Sequence, residues 1–241
     1  MDATQDEPKA LVEQYWNRRA ETYENDSQHA IHSEAQHDAW LSVLREWTGE
    51  SQQVLDVGCG PGVVSLLLAE LDHDVTGIDY APEMVERARA NAADVEATLQ
   101  FQQGDAESLA FPADSFDVVT ARHLVWTLPN PEAAIREWMR VLCPGGHLVL
   151  IEGHWDFDEP WDEYEVIHED LPLYEGPFSD QMEVFLRENG LENVASEPLT
   201  DAVFWGNDVE NERYIVGGDV PGKWAVLNRC KALDFTVSRP A

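Results

Sequence analysis

Positive charge is what this sequence has least of. Lys and Arg number 15 against 47 Asp and Glu in 241 residues, a formal net charge of −32 at pH 7. Only three of the cations are lysines: Lys9, Lys223 and Lys231. So few cations disfavour nucleic acid as a direct partner, because phosphate needs a basic surface. They disfavour an anionic membrane surface for the same reason. Cysteine is scarce too. Cys59, Cys143 and Cys230 are odd in number, far apart and free of any CxxC spacing, so no disulfide or zinc framework follows. The acidic start, Met1 to Glu7, lacks a signal-peptide pattern. Long apolar runs are missing as well; stretches such as Val63 to Ala69 are too short to span a bilayer. The expectation is a soluble, cytoplasmic protein, monomer or homodimer, with no membrane and no nucleic-acid partner.

What is present supports a folded core. Hydrophobic residues make up 44% of the chain and include nine Trp, enough to pack a domain of this length. The acid excess with little lysine resembles cytoplasmic proteins of extreme halophiles, in which high salt screens the self-repulsion. The charge is therefore read first as a property of the solvent. The other reading is an acid-lined site for a cation.

Residues 8–24 and 31–48 read as two helices, with Pro8 suited to a first turn. The pattern then alternates. Strands are expected at Gln53 to Val57, Asp74 to Asp79, Thr98 to Gln103, Phe116 to Ala121 and His147 to Glu152. Helices are expected at Val63 to Leu71, Pro82 to Ala93 and Pro131 to Val141. This alternation predicts a doubly wound, mostly parallel α/β sheet of Rossmann-like type with helices on both faces. Residues 154–178 break the rhythm as a long, aromatic and acidic stretch, of a length usually found in a functional loop or lid. Ser179 to Asn189 restores a helix. Asn193 to Leu199 and Lys223 to Cys230 read as a closing antiparallel hairpin, joined by a loop that carries Trp205. One domain over 1–241 is expected: an N-terminal helical cover (1–50), a cofactor-binding core (51–153), an acceptor-side insertion (154–178) and a C-terminal helix with strands (179–241).

In an open parallel sheet the ligand lies at the carboxyl ends of the strands, near the switch point. Here the first strand ends in Asp56-Val-Gly58-Cys-Gly60-Pro-Gly62, and Asp79 closes the second strand. Glycines admit a ligand close to the backbone, the next helix offers free N–H groups, and an acid at the second strand end can take both ribose hydroxyls. The dinucleotide fingerprint needs Gly or Ala at the position of Val63, and a P-loop needs Lys-Ser/Thr; neither is met. A nicotinamide-dependent oxidoreductase is thereby disfavoured.

Four segments in chain order carry a family resemblance: Val54-Leu-Asp-Val-Gly-Cys-Gly-Pro-Gly62, Gly77-Ile-Asp-Tyr-Ala-Pro-Glu-Met-Val85, Gly104-Asp-Ala-Glu-Ser-Leu-Ala-Phe-Pro-Ala-Asp-Ser-Phe-Asp117 and Arg136-Glu-Trp-Met-Arg-Val-Leu-Cys-Pro-Gly-Gly-His-Leu-Val149. Together they resemble the class I S-adenosylmethionine-dependent methyltransferases of the small-molecule "type 11" group. Tyr15 to Tyr23 resembles the short helix with which that group covers the methionine end. The resemblance implies S-adenosylmethionine as cofactor and the following roles. Gly58 and Gly60 bring backbone to the methionine moiety, and Asp56 steadies the loop or receives the ammonium through water. Asp79 takes the ribose diol, and Tyr80 packs beside the adenine. Asp105 accepts from the adenine amino group, while the Ala106 N–H addresses the ring. Tyr23 and Arg122 complete the cofactor set. Structural roles are open beside these: Asp79 as a helix cap, Asp105 as a turn cap, Arg122 as an ion-pair partner, Tyr15, Trp16 and Tyr23 as core.

Methyl transfer from a sulfonium needs alignment and desolvation more than chemistry from the protein. A base is needed for a hydroxyl, a protonated amine or an acidic carbon. His123, just past the fourth strand, is the candidate base, followed by His154 and His168; a purely structural role is the other reading for His123. Trp155, Phe157, Trp161, Tyr164, Tyr174 and Phe178 either enclose an aromatic or isoprenoid acceptor or pack the lid onto the sheet. Residues 152–183 hold twelve acids and no Lys or Arg, which argues against a polyanionic acceptor. The Asn/Asp-Pro-Pro-aromatic clamp of DNA amino-methylating enzymes is missing, since that place reads Arg122-His123-Leu124-Val125. The expected activity is methyl transfer to a small-molecule acceptor. The alternatives are a quinone-precursor C-methyltransferase, although that group's Gly-Leu-Arg-Asn is missing, or a cofactor-binding protein without turnover.

Overall fold

The computed structural model describes residues 6–25, 28–155 and 164–222. Its helices are α1 (Asp6–Arg19), α2 (Glu34–Thr48), α3 (Val63–Glu70), α4 (Pro82–Asn91), α5 (Pro131–Val141), α6 (Ser179–Glu188) and α7 (Ala202–Trp205). The strands are β1 (Gln53–Val57), β2 (Asp74–Asp79), β3 (Leu99–Gln103), β4 (Phe116–Arg122), β5 (Leu142–Gly153), β6 (Glu192–Pro198) and β7 (Arg213–Asp219). They form one sheet in the order β3-β2-β1-β4-β5-β7-β6. The first five strands run parallel, and β7 enters antiparallel between β5 and β6.

The central strands are apolar on both faces because both faces are covered. Val54, Leu55, Val57, Val119, Leu148, Val149, Leu150 and Ile151 are all fully buried. On one face Ile135 and Trp138 of α5 and Met182 and Leu186 of α6 join the core. On the other, Trp40, Val43 and Leu44 of α2, the α3 leucines and Trp205 do so. α2 starts where Ser33 caps it, accepting the Gln36 N–H at 3.1 Å. α4 and α5 each carry proline at the start.

The predicted fold class is the observed one. The C-terminal edge needs correction. The strand expected at Lys223 to Cys230 lies outside the described residues, and the antiparallel partner of β5 is β7, a segment read as loop. Gly217 and Gly218 mimic a turn signal there, yet they serve close strand approach. A Cβ at Gly217 would lie 2.6 Å from the Leu148 carbonyl oxygen. β5 also starts at Leu142, five residues early, and α1 stops at Arg19, with a short 3₁₀ turn at Tyr23–Asn25. Cys59 is free and buried. No helix among the described residues is long and apolar enough to cross a membrane.

Candidate active site

A cleft of about 800 Å³ opens at the carboxyl ends of β1, β2 and β4, beneath α1. Eight of the nine cofactor candidates line it: Tyr23, Gly58, Gly60, Asp79, Tyr80, Asp105, Ala106 and Arg122; so does His123. The ninth, Asp56, lies below, lining a smaller hollow of about 300 Å³ with Tyr23, Gly58, Gly60 and Arg122.

The floor is the turn after β1. Gly58 and Gly60 hold φ of 66° and 53°, in the region that favours glycine. A Cβ at Gly58 would also come within 2.8 Å of Leu124 Cδ1, so Leu124 would have to shift. Asp79 fixes the turn from the end of β2. Its Oδ2 accepts the Gly60 N–H at 2.9 Å and its Oδ1 accepts the Ala81 N–H at 2.9 Å. The second contact closes a turn ahead of α4; Asp79 does not cap that helix, whose N-cap is Ala81 with no side-chain hydrogen bond. Burial raises the Asp79 pKa to about 6, against the pull of these N–H donors. Asp56 is buried among apolar strands and accepts from Ser65 Oγ and from Thr120 Oγ1, the latter at 3.0 Å. Burial raises it too to about 6, despite both hydroxyls.

At the other end of the cleft, Asp105 Oδ1 accepts the Glu107 N–H at 2.9 Å, closing a tight turn. The Ala106 carbonyl is held by the buried Trp138 Nε1 at 3.0 Å. Asp105 Oδ2 is paired with Lys9 Nζ at 2.8 Å, and Lys9 also reaches Glu107 at 2.7 Å. Burial opposes the charge on Lys9, but the hydrogen bonds to both acids prevail and raise its pKa. Glu107 further accepts the Asn130 N–H at 2.6 Å. It thus links α1, the turn after β3 and the start of α5.

Tyr23 stacks on His29 with ring centroids 4.1 Å apart. The Arg122 guanidinium lies against both the Trp40 and Trp205 rings, 5.1 and 5.5 Å from their centroids, and donates to the Gln28 carbonyl. His123 has φ 54°, unusual for a residue with a Cβ. Its ring stacks on Trp205 and meets Trp155 edge-on, and its Nε2 is buried without a hydrogen-bond partner. Burial first, then Arg122, His29 and Arg213, drive its pKa well below the ordinary value, so the ring is neutral at pH 7.

Other candidates are not gathered here. The His154 ring bonds to the Gly176 carbonyl at 2.8 Å and stacks on Phe178; His168 bonds to the Glu165 carbonyl at 2.9 Å in a 3₁₀ turn. Neither lines the cleft. Tyr164 and Tyr174 pack with Tyr15 and Trp126, and Trp155 leans on the same cluster. Phe157 and Trp161 lie outside the described residues. The non-polar cleft walls are instead Val12, Trp16, Leu124, Leu128 and Pro129. Lys9, Glu107 and Glu152 are site elements that the sequence reading passed over. Glu152 had a signal: it is a lone acid at the end of the apolar run Leu148 to Ile151.

Residues 55–150 match the family model described as "Methyltransferase domain". Over 151 residues the chain is 33% identical to the uncharacterized methyltransferase YcgJ of Bacillus subtilis, covering 62% of this chain and 58% of YcgJ. It is 41% identical over 99 residues to a ubiquinone biosynthesis O-methyltransferase of Xanthomonas oryzae pv. oryzae, 41% of each protein. The chain thus spans about half the length of these curated relatives. Its fold is similar to that of Haemonchus contortus phosphoethanolamine N-methyltransferase 2 in complex with S-adenosyl-L-methionine, with a TM-score of 0.65 at 17% identity over 87% of this chain and 58% of that one. Residues 55–150, which hold nearly all of the four motifs, are thus similar to a methyltransferase domain, on a sheet whose fold is that of known methyltransferase structures.

Proposed function

We propose that the protein transfers a methyl group from S-adenosylmethionine to a small, largely apolar acceptor by in-line displacement. The observation that carries this reading is the cleft lining: a glycine turn and three carboxylates, Glu13, Asp79 and Asp105, together with the apolar Trp16, Leu124, Leu128 and Pro129.

The donor set fits the cofactor. Each oxygen of Asp79 holds one backbone N–H and keeps a lone pair for a ribose hydroxyl. Asp105 and the turn at Ala106 would address the adenine, with Tyr80 beside it. Gly58 and Gly60 would face the methionine portion, with Asp56, Tyr23 and Arg122 around the smaller hollow. When bound, the cofactor supplies a methyl group already activated on a sulfonium. The chain's own part is to bind, align and dry the reactants, an effect on the order of 7–11 kcal/mol when alignment is good.

His123 would serve as general base, since its neutral imidazole lines the cleft and its Nε2 is unpartnered; the burial and nearby cations that keep it neutral also make it a weak base, so it suits an acceptor with an acidic proton. This favours an acceptor that loses a proton, and the likeness to a ubiquinone biosynthesis O-methyltransferase supports a hydroxyl. Both cations that line the cleft, Lys9 and Arg122, are already bonded within the protein, which speaks against a polyanionic acceptor. The net charge of −32 supports work in molar salt, in a cytoplasm of that kind.

Calorimetry in molar salt tests the cofactor. Micromolar binding of S-adenosylhomocysteine without binding of NAD is expected; NAD binding alone would overturn the reading. A labelled-methyl screen against cell extracts then identifies the acceptor.

A further inference from the structure

The sharpest anomaly outside the nucleoside contacts is Glu152. It follows four fully buried apolar residues, Leu148 to Ile151, in a central strand and is itself fully buried. A carboxylate at such a position is costly unless it is hydrogen-bonded. Its Oε1 accepts two consecutive backbone N–H groups, those of Leu124 and Val125, each at 2.9 Å.

These two donors belong to a turn that needs holding. β4 ends at Arg122, and His123 then takes a left-handed φ of 54°, which is unfavourable for a residue with a Cβ. The next residues begin the 3₁₀ turn Val125–Thr127, whose first N–H groups have no partner within the turn itself. Arg122 pairs with Ile151 in the β4–β5 ladder, so Glu152 stands level with His123. Its backbone is fixed between β4 and β7, where it pairs with Tyr214. A rigid strand thus reaches across to a strained loop. Beyond the loop, the Leu124 side chain fills the space that a Cβ on Gly58 would need.

We propose that Glu152 is a positioning residue of the methyl-transfer cleft: by holding the Leu124 and Val125 N–H groups it keeps Leu124 seated on Gly58, and so fixes the wall facing the methionine end of the cofactor. The proposal rests on the cofactor reading given above. One oxygen performs the clamping, so an amide oxygen can substitute for it.

The test combines amide hydrogen exchange with calorimetry, using S-adenosylhomocysteine and adenosine as probes. Glu152→Ala should speed exchange at Leu124 and Val125 at least tenfold. It should weaken S-adenosylhomocysteine at least tenfold and leave adenosine within twofold, because adenosine needs only the Asp79 and Asp105 end. Glu152→Gln should bring S-adenosylhomocysteine back to within threefold of the native affinity. Unchanged exchange in Glu152→Ala, equal weakening of both probes, or a Glu152→Gln variant as weak as the alanine would each overturn the proposal. Should Glu152→Ala fail to fold, Leu124→Ala replaces it: the same selective loss is expected, and native affinity for both probes overturns the idea. A native chain that binds neither probe would defeat the cofactor reading, while the exchange measurement would still decide the clamp.

Discussion

Asp79 grips the glycine turn from the neighbouring strand: one carboxylate oxygen holds the Gly60 N–H at 2.9 Å while the other holds Ala81. On the proposed cofactor reading, ribose recognition and loop shape would therefore share one side chain. Removing it leaves the cofactor without its diol acceptor and two N–H groups without their partner, and a lost hydrogen bond to a charged group is worth about 1.5–3 kcal/mol. Asp79→Ala is expected to weaken S-adenosylhomocysteine and adenosine together, at least tenfold each by calorimetry. Asp79→Asn keeps one acceptor oxygen and should fall between. An unchanged affinity in the alanine variant would remove Asp79 from the binding set.

Lys9 ties the cover to the core. Its two partners, Asp105 and Glu107, sit on the turn after β3, and the pair is shielded enough to resist molar salt better than an exposed one. Lys9→Met should make the amides of residues 10–14 exchange severalfold faster while the melting temperature moves by only a few degrees, since the sheet core is untouched. Unchanged protection in α1 would show that Tyr15 and Trp16 hold the helix without it.

The parts legible in the sequence are those that local pattern dictates. Val54 to Val57 reads as a buried strand because it lies between two others, and the glycines after it announce a turn at a ligand edge. Asp79 and Asp105 were found through motif position and do line the cleft. Lys9 and Glu107 were not found, because their pairing joins residues 98 apart and leaves no periodic trace. β7 was lost for a related reason: Gly217 and Gly218 serve close strand packing, which in sequence looks like a break. The aromatic stretch after β5 announced its composition but not its direction. Tyr164 and Tyr174 turn toward Tyr15 and Trp126, and contacts between distant segments set that choice.

Asp56 gives a pH signature that can be isolated. Its pKa is about 6 in the fold against an ordinary 3.8, so between these values the folded state holds a proton that the unfolded chain has released. Stability from this group therefore increases as pH falls from about 7 to about 4 and is lost as pH rises through 6, up to about 3 kcal/mol in all. Asp56→Asn has no such proton. The native protein should accordingly gain stability over Asp56→Asn on acidification from pH 8 to pH 5, followed by denaturant melts in molar salt. A difference that stays constant with pH would show that Asp56 is ionised throughout.

His123 combines a left-handed backbone with a neutral, unpartnered ring, so its replacement must separate shape from chemistry. Alanine would add backbone strain, whereas asparagine tolerates the left-handed region but carries no basic nitrogen. His123→Asn should leave S-adenosylhomocysteine affinity within threefold. It should lower kcat on the acceptor found by the labelled-methyl screen by about 10²–10⁴, the usual worth of a positioned base. Raising the pH should recover part of the loss if the acceptor is a hydroxyl, because a deprotonated oxygen needs no base. Should His123→Asn turn over at the native rate, the ring is a packing element for Trp205 and Trp155, and the acceptor is one that reacts without proton removal.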